Sequence, residues 1–312
     1  AWHAMYPSPE VTALTSAAAN QGGDDLDTSQ DVRSGGTVEG NTTLHELGGK
    51  PARENDLSSS SFQNLQGIAT VQQNNGNGNS IGSSTGVIAN FGDGLMDDVT
   101  KQDVTTDGSV SGSYAAHNLG EDSGRRSNYA AVGIFDNSNG IVTVQQNNGD
   151  NNAIDAATGV RAEIGATAQT NPDEEDVSTQ LAGTSGAVSF NEAESVNIDP
   201  TFSDRINVLG WAFQGGVNGV FSVQQNNGDN NAIGSATAVV ADINNEEDVD
   251  SALNNRATTV GLVEGNLGKG EFGASDTETG RTNEISRGLF DDGAGIITAQ
   301  QNNGNNNVMG AA

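Results

Sequence analysis

Three stretches of the chain carry the same two-residue alternation. Ile81, Ser83, Thr85, Val87, Ala89 and Phe91 fall on one side of an extended segment; Ile154, Ala156, Thr158, Val160, Ala162 and Ile164 do so in a second; Ile233, Ser235, Thr237, Val239, Ala241 and Ile243 do so in a third. A period of two sustained this far predicts β-strands, and the small residues in the middle predict a closely packed inner face. Before each comes a β-branched run ending in Gln-Gln: GIATVQQ from Gly67, GIVTVQQ from Gly140 and GVFSVQQ from Gly219, with a fourth, GIITAQQ, from Gly295. These predict a second strand per copy. The Asn-Asn-Gly between the two strands tolerates positive φ, so a reversal is expected there. No stretch shows the 3.6-residue apolar period of an amphipathic helix, and the fold class is all-β.

The copies belong to a larger repeat. The Gln-Gln pairs begin at Gln72, Gln145, Gln224 and Gln300, so the unit is about 76 residues. Each pair has an Arg at the same distance upstream (Arg53, Arg126, Arg205, Arg281), followed two residues later by Asn55, Asn128, Asn207 or Asn283. Further upstream lies a Gly-x-Val read as a strand start, at Val38, Val110, Val188 and Val263. Between the Arg and the end of the alternating strand the complete copies have no insertion, whereas the Val-to-Arg interval lengthens from copy to copy. Fixed spacing implies paired strands whose register is locked, and variable spacing implies surface loops. The reading is an N-terminal segment at 1–22 and repeats at 23–91, 92–164, 165–243 and 244–312, each with roughly four strands. The architecture expected is a β-solenoid or a set of stacked sheets, with a four-bladed β-propeller as the alternative.

The fourth copy carries only the first residues of its alternating strand, Val308, Met309, Gly310, Ala311 and Ala312. The segment near residues 9–20 has the composition of such a strand, with Val11, Ala13, Thr15 and Ala17 on one face. It is expected to fill the place left after Ala312, either in another copy, giving a head-to-tail polymer, or in the same chain, giving a closed ring.

Composition narrows the chemistry. A formal net charge of −29 leaves no basic patch for nucleic acid and disfavours anionic membranes. There is no Cys, and no apolar run reaches membrane-spanning length. The opening AWHAMYPSPE fits a secreted chain from which a leader has been removed, and extracellular or cell-surface placement is expected. His45 and His117 occupy equivalent repeat positions, where later copies have Ser195 and Gly270, and His3 lies outside the repeats. That distribution argues for decoration, and no catalytic residue is nominated.

Three sets of residues remain as candidates. The repeat arginines Arg53, Arg126, Arg205 and Arg281 suggest a charge ladder or Arg–carboxylate pairs fixing the coil. The amides Gln72, Gln73, Asn75, Gln145, Gln146, Asn148, Gln224, Gln225, Asn227, Gln300, Gln301 and Asn303 suggest columns of hydrogen-bonded side chains, as in Asn/Gln ladders. Acidic residues recurring once per repeat, among them Asp25, Asp27, Asp98, Asp176, Asp248 and Asp250, offer hard oxygens suited to Ca²⁺, the one candidate cofactor.

The run Gln73-Asn74-Asn75-Gly76-Asn77-Gly78-Asn79-Ser80 resembles the curlin repeat Gln-x-Gly-x-Gly-Asn-x-Ala, with one residue inserted. The Asn/Gln/Ala/Gly-rich repeats with variable linkers also resemble Fap-type functional amyloid subunits. The likeness covers about 25 residues of each repeat, and curlin repeats are far shorter than this one. The resemblance implies a self-assembling extracellular matrix or filament subunit whose partners are copies of itself. The alternatives are a Ca²⁺-dependent adhesin or surface-layer module and, last, a β-helical enzyme acting on polysaccharide.

Overall fold

The computed structural model describes residues 12–21, 29–45, 53–57, 62–91, 101–119, 126–130, 134–164, 177–197, 205–210, 218–243, 252–272, 281–285 and 294–312. Every regular element among them is a β-strand. Strand β1 (Thr12–Gln21) precedes four coils of five strands each. The first coil holds β2 (Ser29–Glu39), β3 (Thr42–His45), β4 (Arg53–Leu57), β5 (Gln66–Asn74) and β6 (Ser80–Phe91). The second holds β7 (Lys101–Ser111), β8 (Tyr114–Leu119), β9 (Arg126–Ala130), β10 (Asn139–Asn147) and β11 (Ala153–Ile164). The third holds β12 (Val177–Ser189), β13 (Glu192–Asn197), β14 (Arg205–Leu209), β15 (Asn218–Asn226) and β16 (Ala232–Ile243). The fourth holds β17 (Ala252–Glu264), β18 (Leu267–Phe272), β19 (Arg281–Ile285), β20 (Ala294–Asn302) and β21 (Val308–Ala311).

Each strand pairs only with its equivalents in neighbouring coils, always in parallel, and the chain is a β-solenoid. Sheet A runs β1-β6-β11-β16-β21; sheets B, C, D and E hold the β2, β3, β4 and β5 columns. Gln72, Gln145, Gln224 and Gln300 share one row of sheet E, and Arg53, Arg126, Arg205 and Arg281 share one row of sheet D. An equal spacing in every complete copy therefore becomes exact vertical stacking, because a slip by one residue would turn each inward side chain outward.

Four expectations need correction. Each coil has five strands, not four, because the short β3, β8, β13 and β18 have no alternation long enough to be seen. The Gly-x-Val triplets lie near the ends of β2, β7, β12 and β17 and do not start them. The Asn-Asn-Gly run is a corner between strands of sheets E and A, not a hairpin reversal. Lastly, a closed ring is not formed: β1 pairs with β6, with Thr12 opposite Gly82, while β21 pairs with β16 at the other edge of sheet A.

The long strand is also buried on both faces, not one. Residues 79–86 are all buried. The Ser84 hydroxyl donates to the Thr105 carbonyl of sheet B and shares a hydrogen bond with Ser34 Oγ, whereas Gln145 Nε2 of sheet E donates to the Gly82 carbonyl from the opposite side. Sheet A is thus sandwiched between B and E. Sheet E is in turn covered by sheet D, where Gln146 Nε2 donates to the Val208 carbonyl. A polar strand interior survives such burial only if its groups are hydrogen-bonded, which the stacking provides.

Apolar burial concentrates between E and D. Val142, Val144, Phe221 and Val223 pack there with Ala130, Leu209, Ile134 and Phe135, and Phe62 stacks on Phe135 with ring centroids 5.3 Å apart. Smaller clusters follow the columns: Ile81, Ile154, Ile233 and Met309 stack within sheet A.

Candidate functional site

The corner between sheets E and A gathers most of the chain's repeated polar residues. In the first column, Gln72 Nε2 donates to Gln145 Oε1 at 2.8 Å, Gln145 to Gln224 at 2.9 Å and Gln224 to Gln300 at 3.1 Å. The adjacent column runs the other way: Gln146 donates to Gln73 at 2.7 Å, Gln225 to Gln146 at 2.8 Å and Gln301 to Gln225 at 2.8 Å. Neighbouring side chains on a strand point to opposite faces, so the first column faces sheet A and the second faces sheet D. The inner amides, Gln145, Gln224, Gln146 and Gln225, both donate and accept within their columns, which satisfies groups that water no longer reaches.

Further columns surround these two. Asn148 donates to Asn227 at 3.1 Å, and Asn75 donates across the corner to Asn128 at 3.0 Å. Asn55, Asn128, Asn207 and Asn283 form a column of their own, with links of 2.8 to 2.9 Å. Two columns escaped sequence reasoning: Asn74-Asn147-Asn226-Asn302, and Gln30-Gln102-Gln180 of sheet B. Their signal was available, since each recurs at the repeat spacing.

Glycine and asparagine divide the corner's geometric demands. The left-handed position falls on Gly78 (φ 62°), Asn151 (φ 55°), Asn230 (φ 57°) and Asn306 (φ 57°), not on the Asn-Asn-Gly triplet. Gly149 is required for a different reason: a β-carbon there would run into the Gly228 carbonyl of the next coil.

The repeat arginines anchor this corner to sheet D. Arg53, Arg126, Arg205 and Arg281 each donate through Nη1 to the carbonyl of Asn75, Asn148, Asn227 or Asn303. Between them stand Asp150 and Asp229. Asp150 bridges Arg126 (3.1 Å) and Arg205 (3.4 Å), and Asp229 bridges Arg205 and Arg281 (3.2 Å). At the two ends the carboxylate is replaced by an amide, Asn77 beside Arg53 and Asn305 beside Arg281. Burial pulls the Arg205 pKa down, but Asp229 and Asp150 outweigh it and leave it raised. Burial also lowers Arg126, and repulsion from Arg205 and Arg53 adds to it against Asp150. Both remain cationic at neutral pH.

Other candidates fall as follows. His45 and His117 pair in register between β3 and β8, with Ser195 and Gly270 continuing the row; His3 lies outside the described residues. Asp25, Asp27, Asp98, Asp176, Asp248, Asp250 and Val11 also lie outside them. Among the described residues no group of three or more His, Asp or Glu could hold a metal ion, and no helix is long and apolar enough to cross a membrane. Ala13, Thr15 and Ala17 sit in β1, and Val308 to Ala311 form β21, followed by Ala312.

The face of the fourth coil differs from the inner coils in exposure. Ile296, Ile297 and Val308 are 42%, 39% and 51% exposed. Their equivalents Val220, Phe221 and Ala232 are buried. On the outer side of β17 and β18, Val260, Leu262 and Leu267 are exposed as well, at rows where the second coil has Asp107, Ser109 and Tyr114. No family model, characterised protein or solved structure matches the chain.

Proposed function

We propose that the chain is a structural subunit of a secreted, self-assembling filament or biofilm-matrix fibre that grows head to tail. The observation that carries this reading is the face of the fourth coil. It presents Ile296, Ile297 and Val308 to solvent in the same register in which the inner coils bury their equivalents. A first coil from another copy carries the matching rows: Ile68, Ala69, Gln72, Gln73 and Arg53. Laid on the fourth coil, it would extend every sheet and every amide column with the hydrogen bonds already used between coils.

Strand β1 fits the same joint. In its register against β6 it spans the rows from Gly82 to Phe91. In a second copy docked in this way, β1 would lie beside β16 from Gly234 to Ile243, in line with β21, which pairs with Ala232 to Ser235. The two would together cover all of β16, with Gly234 and Ser235 claimed by both. Heterologous contacts of this kind generate open polymers.

The likeness of the Gln-Asn-Gly corner to curlin and Fap-type repeats, the charge of −29 and the lack of Cys agree with an extracellular fibre. Copies of the chain are its partners; no reacting residues are assigned. Electron microscopy of the purified chain and of a variant lacking residues 1–21 tests the reading. Filaments are expected from the former, with short or no filaments from the latter. Identical filaments from both would remove β1 from the joint, and none from either would end the proposal.

A further inference from the structure

The outer face of sheet B, turned away from sheet A, changes character along the stack. Strands β2 and β7 place Asp31, Arg33, Glu39, Lys101, Asp103 and Asp107 on it. Strand β12 has no charged residue, and in β17 the charged residues are Arg256 and Glu264. Side chains on a strand alternate between faces, so Arg256, Val260, Leu262 and Glu264 share the outer face, while Val263 turns inward against Val110 and Val188. Val260 and Leu262 are 58% and 52% exposed, and Leu267, at the start of β18, is exposed as well.

Phe190 stands at the border of this surface, in the corner between β12 and β13. Gly40, Gly112 and Phe190 each donate a backbone N–H to the next coil, and Gly265 ends the row. All four adopt the left-handed conformation, with φ of 62°, 59°, 54° and 62°. Glycine accepts that geometry without cost, whereas a bulky side chain is strained by it. The ring lies toward the fourth coil, where a β-carbon on Gly265 would stand 2.7 Å from its Cδ1. At 68% exposure it is also the most exposed large apolar side chain among the described residues. Strain kept for a side chain that buries so little points to a use outside the fold.

We propose that this surface pairs side by side with the same surface of a second copy about a two-fold axis. The charges select that occupant. Arg256 and Glu264 lie four residues to either side of Val260. When two outer faces meet with their β17 strands antiparallel and Val260 over Val260, each Arg256 meets the partner's Glu264, twice by symmetry. Sheets packed face to face lie about 10 Å apart, which both side chains span. Phe190 stands at the Glu264 end, so the same guanidinium reaches its ring. Val260 and Leu262 fill the middle. The acidic side chains of the first two coils repel one another and confine the contact to the fourth-coil end. The surface is lateral and does not depend on head-to-tail growth.

Sedimentation velocity of the full chain measures paired chains, and electron microscopy counts filaments per bundle where the chain polymerises. The wild type is expected to pair. Arg256→Glu and Glu264→Arg should each weaken pairing about tenfold, and the two changes together should restore it. An end-to-end joint would respond otherwise, because Glu264→Arg relieves repulsion from Glu39 of the next copy and tightens that joint. Phe190→Gly is expected to raise Tm slightly, since glycine suits a left-handed φ, and yet to weaken pairing. A wild type without side-by-side pairs, a double swap no better than the single ones, or pairing undisturbed by Phe190→Gly would overturn the proposal.

Discussion

The strands β15 and β20, NGVFSVQQN and AGIITAQQN, share one pattern of apolar and amide positions and lie side by side in one sheet. Yet Phe221 is 1% exposed and Ile297 39%. The difference is not in the residues but in what covers them: β15 has a coil on each side, β20 on one. Burial in this fold is supplied by the neighbouring coil, so the proposed association would draw on the same kind of contacts that stabilise the inner coils. What is core in the third coil is surface in the fourth.

Mutations made in pairs, one inside and one at the end face, sharpen this contrast. Asp150→Asn should have the largest effect, at about 3–5 kcal/mol, because it removes a buried negative charge shared by Arg126 and Arg205, of which Arg205 retains Asp229. Asn305→Asp, which adds a carboxylate beside Arg281 at the end face, should change stability by less than about 1 kcal/mol. Denaturant unfolding at low protein concentration measures both. Phe221→Ala should cost about 3–5 kcal/mol. Ile297→Ala should cost far less in the monomer and should recover its full cost only once assembly covers it.

Smaller differences follow at the corner. Gln145→Leu breaks an amide column in its middle and leaves the amides of Gln72 and Gln224 short of partners, at about 2–3 kcal/mol. Gln300→Leu removes one terminal link of the column and a half-buried bond to the Gly234 carbonyl, and should cost about half as much. Gly149→Ala forces a β-carbon against the Gly228 carbonyl and should cost about 1–3 kcal/mol. Gly304→Ala meets only the side-chain amide of Asn307 and should be milder. Equal costs within each pair would mean that the fourth coil is already covered in the monomer.

Much of this was legible in the chain. The Gln-Gln spacing and the Arg nineteen residues before it fixed the vertical rows, since parallel in-register stacking leaves the repeat length as the only free offset. The burial of both faces of β6 was not legible, because Ser80, Gly82, Ser84 and Gly86 look like a solvent face until sheet B covers them. Short strands such as β3 hold too few residues for a period to emerge. The acidic partners of the arginines were hidden by their own variation: Asp150 and Asp229 alternate with Asn77 and Asn305 in one row. Phe190 becomes conspicuous only once it is aligned with Gly40, Gly112 and Gly265.

The central claim is that copies stack as coils do, with β1 completing the fourth coil of its neighbour. Four coils at the usual strand spacing give an axial rise of about 19 Å per subunit. Helical reconstruction of filaments by electron cryomicroscopy measures that rise directly. The account predicts unbroken parallel sheets with a rise of about 19 Å. A rise of about 24 Å would mean that β1 forms a layer of its own, and a chain that stays monomeric at high concentration would contradict head-to-tail stacking altogether.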